Sequence, residues 1–262
     1  MLKFTPTPIG NLDDISKRAL LALQEAEIIF CEDTRVTKKL LNLLNIPLTK
    51  EFISFHSHNE DKVLLKLDPE ILKSKKCVYV SDAGMPGISD PGSKLVKFAQ
   101  KHNIPYTVIP GANAAVTAFV ASGFEGDFCF HAFLPHKGNE RIEKLKEILN
   151  SGKIAVLYES PHRIGKLLNE LKQLAPNREI FLAKELTKMH ETFIKGKAKD
   201  IKLSNTKGEW VAVIDKADKA QKLELSYEDI KNLPLPLKEK SKLLAKISEK
   251  SAKEIYKELS EG

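Results

Sequence analysis

The chain has 262 residues, 42% of them hydrophobic and 29% charged, with a formal net charge of +7, a length that allows two compact domains plus a small appendage. No apolar run approaches the roughly 18 to 20 residues needed to span a bilayer, so neither membrane insertion nor export is expected. Three widely spaced cysteines, Cys31, Cys77 and Cys129, each in an apolar, strand-like stretch, fit buried thiols in a reducing, cytoplasmic compartment.

Up to about residue 110, short apolar runs alternate with amphipathic helical patterns. Strands are expected at Lys3 to Thr7, Ile28 to Cys31, Phe52 to Ser54, Cys77 to Ser81 and Tyr106 to Val108, with helices from about Ile15, Thr34, Asn59 and Gly92. This alternation predicts an α/β domain over residues 1–111. An Ala-rich helix, Ala112 to Ala121, ended by Gly123, opens a second α/β domain over 112–216, with strands at Phe128 to Ala132, Ile154 to Tyr158, Ile180 to Ala183 and Trp210 to Ile214. Thr192 to Gly196 is expected to pair antiparallel, making the second sheet mixed. In residues 217–262 the strand signal disappears. Three short amphipathic helices, Ser226 to Asn232, Leu237 to Glu249 and Ser251 to Leu259, read as a helical tail with Leu237, Leu244 and Ile247 on one apolar face, either a helix-turn-helix-like unit or a cap on the second domain.

Charge is unevenly placed. Residues 136–208 carry 16 Lys+Arg against 9 Asp+Glu, while residues 1–135 carry 15 of each and residues 209–262 carry 11 of each. An excess confined to one segment is what a polyanion-binding face produces, with Arg141, Lys144 and Lys146 as candidate contacts; a solvated Lys-rich surface is the plainer alternative.

The most informative stretch is Ser81-Asp82-Ala83-Gly84-Met85-Pro86-Gly87-Ile88-Ser89-Asp90-Pro91-Gly92, between an apolar strand and an amphipathic helix. In an open α/β sheet, ligands bind beyond the carboxyl ends of the strands, and glycines let backbone approach them. A nucleotide phosphate loop is disfavoured: Gly87 to Lys94 ends in Ser-Lys where a Walker A loop ends in Lys-[Ser/Thr]. Asp82 and Asp90 would repel phosphates yet suit a sulfonium or amine. The turn Thr5 to Asn11, before a helix capped by Asp13 or Asp14, and the turn Pro110 to Ala114 face the same edge, which suggests one shared cleft.

The segments PTPIGNLDDIS, CEDTRVTKKLL, SFHSHNE, SDAGMPGISDPG, PGANAAVTA, YESPHRI, AKELTK and KGEW, in this order over residues 6–210, resemble the ribosomal RNA small-subunit methyltransferase I family of the tetrapyrrole-methylase superfamily. That family usually has Thr and Ser where this chain has Met85 and Asn113. The resemblance implies a two-domain tetrapyrrole-methylase-like fold with an S-adenosyl-L-methionine cleft between the domains. It implies cofactor contacts, largely through backbone, from Pro8, Asp82, Ala83, Gly84, Ile88, Ser89, Ala112, Phe133, Leu134 and Ala183. It further implies 2'-O-methylation of a cytidine ribose in the decoding centre of 16S rRNA, either naked or within the small ribosomal subunit, by a homodimer and without a metal.

Methyl transfer of this kind is an in-line displacement that needs an aligned acceptor oxygen, a base, or a cation to stabilise the developing oxyanion. Charged residues at strand ends are the candidates: Glu32, Asp33 and Arg35, then Glu159, and then Lys184 and Glu185. Each has a structural alternative. Asp33 or Thr34 can cap a helix with Glu32 pairing Arg35, Ser160 can cap the helix that Pro161 opens, and Lys184 with Glu185 can be a surface pair. His56 and His58 read as RNA contacts or loop polar residues, and Phe128, Phe130, Phe133 and Trp210 as core. Rival readings are methylation of a tetrapyrrole or corrinoid precursor, and a non-catalytic RNA-binding assembly factor.

Overall fold

A computed structural model describes residues 1–217 and 226–261. The chain divides into two compact units, Met1–Ala217 and Asp218–Gly262. Of the expected tail over 217–262, positions 218–225 and 262 lie outside the described residues.

The first unit holds two five-stranded sheets. One is wholly parallel and built from β1 (Leu2–Phe4), β2 (Ile28–Cys31), β3 (Glu51–Ser54), β4 (Cys77–Val80) and β5 (Tyr106–Val108), in the order β3-β2-β4-β1-β5. The central strands β2 and β4 are apolar and buried throughout, as strands covered on both faces must be. Ile28 and Phe30 pack to one side and Ile29 and Cys31 to the other, following the pleat. On the latter face α1 (Lys17–Glu25) and α2 (Thr34–Leu43) bury Ala19, Leu23 and Leu41. The opposite face receives α3 (Glu60–Lys66), α4 (Pro69–Ser74) and α5 (Ser93–Lys101), through Val63, Leu72, Leu95 and Ala99. The helix that follows β1 and the helix that follows β4 therefore lie on opposite faces, although β1 and β4 are neighbours. The chain leaves these two neighbouring strands toward opposite faces, a topological switch point at the carboxyl ends.

The second sheet runs β6 (Phe128–Phe133), β7 (Ile154–Glu159), β10 (Trp210–Ile214), β8 (Glu179–Lys184), β9 (Thr192–Lys197). Only β6 and β7 are parallel, and β9 pairs antiparallel with β8 as expected. On one face α7 (Asn139–Asn150) and α8 (Ile164–Leu174) pack Leu145, Ile148, Leu167 and Leu171. The other is covered by α6 (Ala114–Ser122), together with Ile9 from the loop after β1. That apolar contact brings the first sheet's loops to the second sheet.

In the second unit α9 (Tyr227–Asn232), α10 (Leu237–Leu244) and α11 (Ala252–Glu261) share a core of Ile230, Leu244 and Ile255. The expected face of Leu237, Leu244 and Ile247 does not form: Leu237 and Ile247 are exposed, because each short helix contributes its own residue to the centre.

Local chemistry moved several boundaries. Asp13 and Asp14 cap nothing; they lie in a single 3-10 turn capped by Asn11, and Ser16 caps α1 by accepting from Ala19 N–H. The helix expected from Asn59 is split at Asp68-Pro69, where Pro69 fits a helix start and Asp68 accepts from Glu70 N–H. The Ala-rich helix begins at Ala114, capped by Asn113, and ends at the left-handed Gly123. Cys31 and Cys77 are buried thiols, whereas Cys129 is partly exposed.

Candidate functional site

A cavity of about 360 Å³ lies in the first unit between the carboxyl-end loops of the parallel sheet and the ends of β6, β7 and β10, within the size range of small-molecule sites. Ile9, Ala83, Gly84, Met85, Ile88, Ser89, Asp90, Asn113 and Ala114 line one side. Phe133, Tyr158, Glu159, Ser160, Pro161, Leu186 and residues 209–211 line the other. The three Gly/Pro turns thus do share one cleft.

Two anchors hold the long loop after β4. Thr7 and Gly84 exchange backbone hydrogen bonds at 3.0 and 3.1 Å, joining it to the first turn. At the far end the Tyr79 hydroxyl donates to the Pro91 carbonyl at 2.8 Å, and Gly92, at φ +133°, admits the ring where a Cβ would stand 2.7 Å from Cε1. Of the six non-glycine residues with positive φ among the described residues, Ser89 lines this cavity, and Ala132, Glu185 and Thr187 are chain neighbours of the lining residues Phe133 and Leu186. Sparsely populated backbone of this kind clusters at ligand sites.

Carboxylates gather at the first-sheet wall, Asp90 in the lining and Glu32 and Asp82 outside it. Burial, then the Asp82 charge, raises Glu32; burial also raises Asp82. Asp90 is pushed up to about 6, first by burial and then by Glu32. Asp33 behaves oppositely. Its half-buried carboxylate caps α2, binds the Arg35 guanidinium at 2.6 Å and is lowered to about 2 by that partner. The expected Glu32–Arg35 pair is thus an Asp33–Arg35 pair, because the cap geometry already aims Asp33 at Arg35.

On the second-sheet wall, Glu159 is buried with both oxygens engaged: Oε1 accepts from Ser160 N–H and faces Arg163 Nε at 2.9 Å, and Oε2 accepts from Arg141 Nη2 at 3.0 Å. Ser160 is not a helix cap with Pro161 as first residue. Positions 161–163 form a turn, α8 starts at Ile164, and the Ser160 hydroxyl accepts from Arg163 Nε. Lys184 ends β8 with its Nζ 5.7 Å from the ring centre of Trp210, a residue of the cavity lining. Glu185 turns away to accept from Glu209 N–H and pair with Lys188, which lowers its carboxyl.

Of the cofactor contacts expected by resemblance, Ala83, Gly84, Ile88, Ser89 and Phe133 line the cavity, whereas Pro8, Asp82, Ala112, Leu134 and Ala183 stand outside the lining. Leu134 and Ala183 are buried in the second sheet's packing. Among the catalytic candidates only Glu159 lines the wall. Arg141, expected to face RNA, is fully buried, and Lys144 and Lys146 pair with Glu147 and Glu143 on α7's own surface. Sequence reasoning missed Tyr158, Pro161, Leu186 and Glu209. Tyr158 and Pro161 flank the carboxyl end of β7, a position that signals a site, whereas Leu186 and Glu209 enter through the antiparallel β8–β10 pairing. Phe133, expected in the core, is half exposed, while Trp210 is buried yet lines the cavity. His56 and His58 bond to each other in a turn after β3, His58 N–H donating to His56 Nδ1.

Comparison with known proteins matches residues 1–202 to the family described as Tetrapyrrole (Corrin/Porphyrin) Methylases. Among curated proteins, the chain is 48% identical to Ribosomal RNA small subunit methyltransferase I of Campylobacter fetus over 99% of each chain. It is 45% identical to the protein of that name from Helicobacter pylori J99, over 98% of this chain and 96% of that one. Among solved structures, the methyltransferase CobJ superposes with a TM-score of 0.61 at 18% identity, and uroporphyrin-III-C-methyltransferase of Thermus thermophilus with 0.56 at 17%. Both alignments cover 82% of this chain and 94% of the other. At that identity they show a shared fold, the α/β two-sheet architecture expected from the sequence.

Proposed function

The chain belongs to the tetrapyrrole methylase family and, within it, to the ribosomal RNA small subunit methyltransferase I family, and from that membership we propose that it uses S-adenosyl-L-methionine to methylate the ribose 2'-hydroxyl of a cytidine in the decoding centre of 16S rRNA. The observation that carries the cofactor reading is the cavity: a largely apolar chamber at a switch point, lined by Asp90 with the Glu32 and Asp82 carboxylates close to it. Such a chamber suits a ligand with a flat apolar ring and positive charge and disfavours one rich in phosphates.

S-adenosyl-L-methionine supplies a methyl group activated by positive sulfur. The protein's part is to hold that group, align the acceptor oxygen, exclude water and manage one proton. In this reading residues 1–111 and 112–216 form the two halves of the cleft. Ala83, Gly84, Ile88, Ser89 and Phe133 touch the cofactor, and Pro8, Asp82, Ala112, Leu134 and Ala183 support them from behind. Lys184 stabilises the developing oxyanion. Asp33, lowered by Arg35, is a weak proton acceptor; Glu32 and Asp90, both raised, are stronger ones. RNA is favoured over a tetrapyrrole by the names of the full-length relatives and by the basic excess of residues 136–208. The proposed assembly is a cytoplasmic homodimer, for which exposed Val116 and Val120 on α6 offer apolar surface. No described helix is long and apolar enough to cross a membrane.

The test is transfer of labelled methyl from S-adenosyl-L-methionine to 16S rRNA, naked and in small subunits, with mapping of the modified nucleotide. Label in neither substrate rejects the proposal, and label in a tetrapyrrole precursor instead selects the rival. Absence of cofactor binding in calorimetry would favour the assembly-factor reading.

A further inference from the structure

Arg141 is the largest fully buried side chain of the described residues, and a buried guanidinium persists only where its donors are matched. Its Nε donates to both oxygens of Glu170 at 3.0 and 2.9 Å, its Nη2 to Glu159 Oε2 at 3.0 Å and its Nη1 to the Pro135 carbonyl at 3.1 Å. Arg163 completes the set, facing Glu159 Oε1 and donating to the Leu134 carbonyl at 3.4 Å. The two arginines therefore tie the turn after β6 to the end of β7 and to α8. Those are the two strand ends that present Phe133 and Glu159 to the cavity. Between Phe130 and Phe133 the β6–β7 register shifts, with Ala132 at φ 53°, and pairing resumes only at Phe133 with Tyr158, so the arginine fork grips the strand end directly beyond this irregularity.

We infer that Arg141 is a positioning residue of the cavity: by gripping Glu159 and the Pro135 carbonyl together it sets the spacing of the Phe133 and Glu159 sides of the wall. Glu159 is thereby an anchor and not a proton acceptor, since both its oxygens already accept from fixed donors. The inference rests on the methyltransferase reading of the cavity. A lysine in place of Arg141 keeps the charge but has no planar fork to span carboxylate and carbonyl.

The experiment uses Arg141→Lys and the double variant Arg141→Met/Glu170→Met, which removes one charge of each sign from the cluster and leaves Glu159 held by Arg163 and the Ser160 N–H. Trp210, the sole tryptophan, pairs in register with Glu159 and is buried, so acrylamide quenching of its fluorescence reports the wall without any ligand. In variants whose melting matches wild type, the expected results are increased quenching, S-adenosyl-L-methionine affinity weaker by about tenfold, and turnover on small-subunit RNA lower on the order of 10²-fold. Should the double variant fail to fold, Arg141→Lys carries the same three readings. Folded variants with wild-type quenching, affinity and turnover overturn the inference and leave the cluster a stability element. Wild-type protein that binds no S-adenosyl-L-methionine overturns the cofactor reading alone, and quenching then decides the role of Arg141.

Discussion

The backbone N–H of Asp33 donates to a carboxylate oxygen of Asp82 at 3.0 Å, so the residue that caps α2 and the residue near the start of the long loop after β4 hold each other. Sequence places them 49 positions apart; the parallel pairing of β2 with β4 makes them neighbours.

Asp82→Ala removes the acceptor and an anion behind the cavity, whereas Asp82→Asn keeps an acceptor and removes the charge alone. The alanine variant is expected to lose about 1 kcal/mol of stability with the hydrogen bond, read by urea unfolding. Both should bind S-adenosyl-L-methionine more weakly in calorimetry. Equal cofactor affinity in wild type and Asp82→Asn would remove charge from the account of binding.

Asp90 makes the pH dependence specific. Its carboxyl titrates at about 6 in the folded protein and near the ordinary value of about 3.9 in the unfolded chain. Between these values the folded state holds a proton that the unfolded state has released, so Asp90's contribution to stability falls as pH rises through the window. Asp90→Asn should flatten that slope in melting scans from pH 4 to 7. A cationic cofactor should bind more tightly as pH rises through about 6 in wild type, and the asparagine variant should lose this limb.

Lys184→Met tests oxyanion stabilisation. Turnover is expected to fall on the order of 10²-fold while cofactor affinity stays at the wild-type value, because Lys184 stands beside Trp210 and outside the cavity lining. Single-turnover transfer separates the two quantities. A loss of affinity with unchanged turnover would assign Lys184 to binding.

Gly92→Ala tests the loop anchor. A Cβ there meets the Tyr79 ring, and φ +133° is a conformation that alanine avoids. The expected cost is about 1–3 kcal/mol, with weaker cofactor binding because the displaced ring carries the hydroxyl that holds Pro91. Tyr79→Phe, which keeps the ring and drops only that hydrogen bond, should be milder by both melting and calorimetry.

The sequence by itself determined the strands, because β2, β4 and β10 are apolar runs whose burial needs no long-range information, and Ile28–Cys31, Tyr106–Val108 and Trp210–Ile214 fall where the pattern puts them. It marked the loop Ser81 to Gly92 as a candidate ligand loop, since glycine and proline at such density mark backbone that neither helix nor strand can use. Only the tertiary structure decided which charges act. Arg141 looks like a surface cation on an amphipathic helix until Glu159 and Glu170, 18 and 29 positions away, are brought around it. Glu32 and Asp33, adjacent in sequence, diverge because one is desolvated near the Asp82 charge and the other is paired with the Arg35 guanidinium. A side chain's hydrogen-bond partners and its burial are set by strand order and helix packing, and those are properties of contacts that no local window of sequence contains.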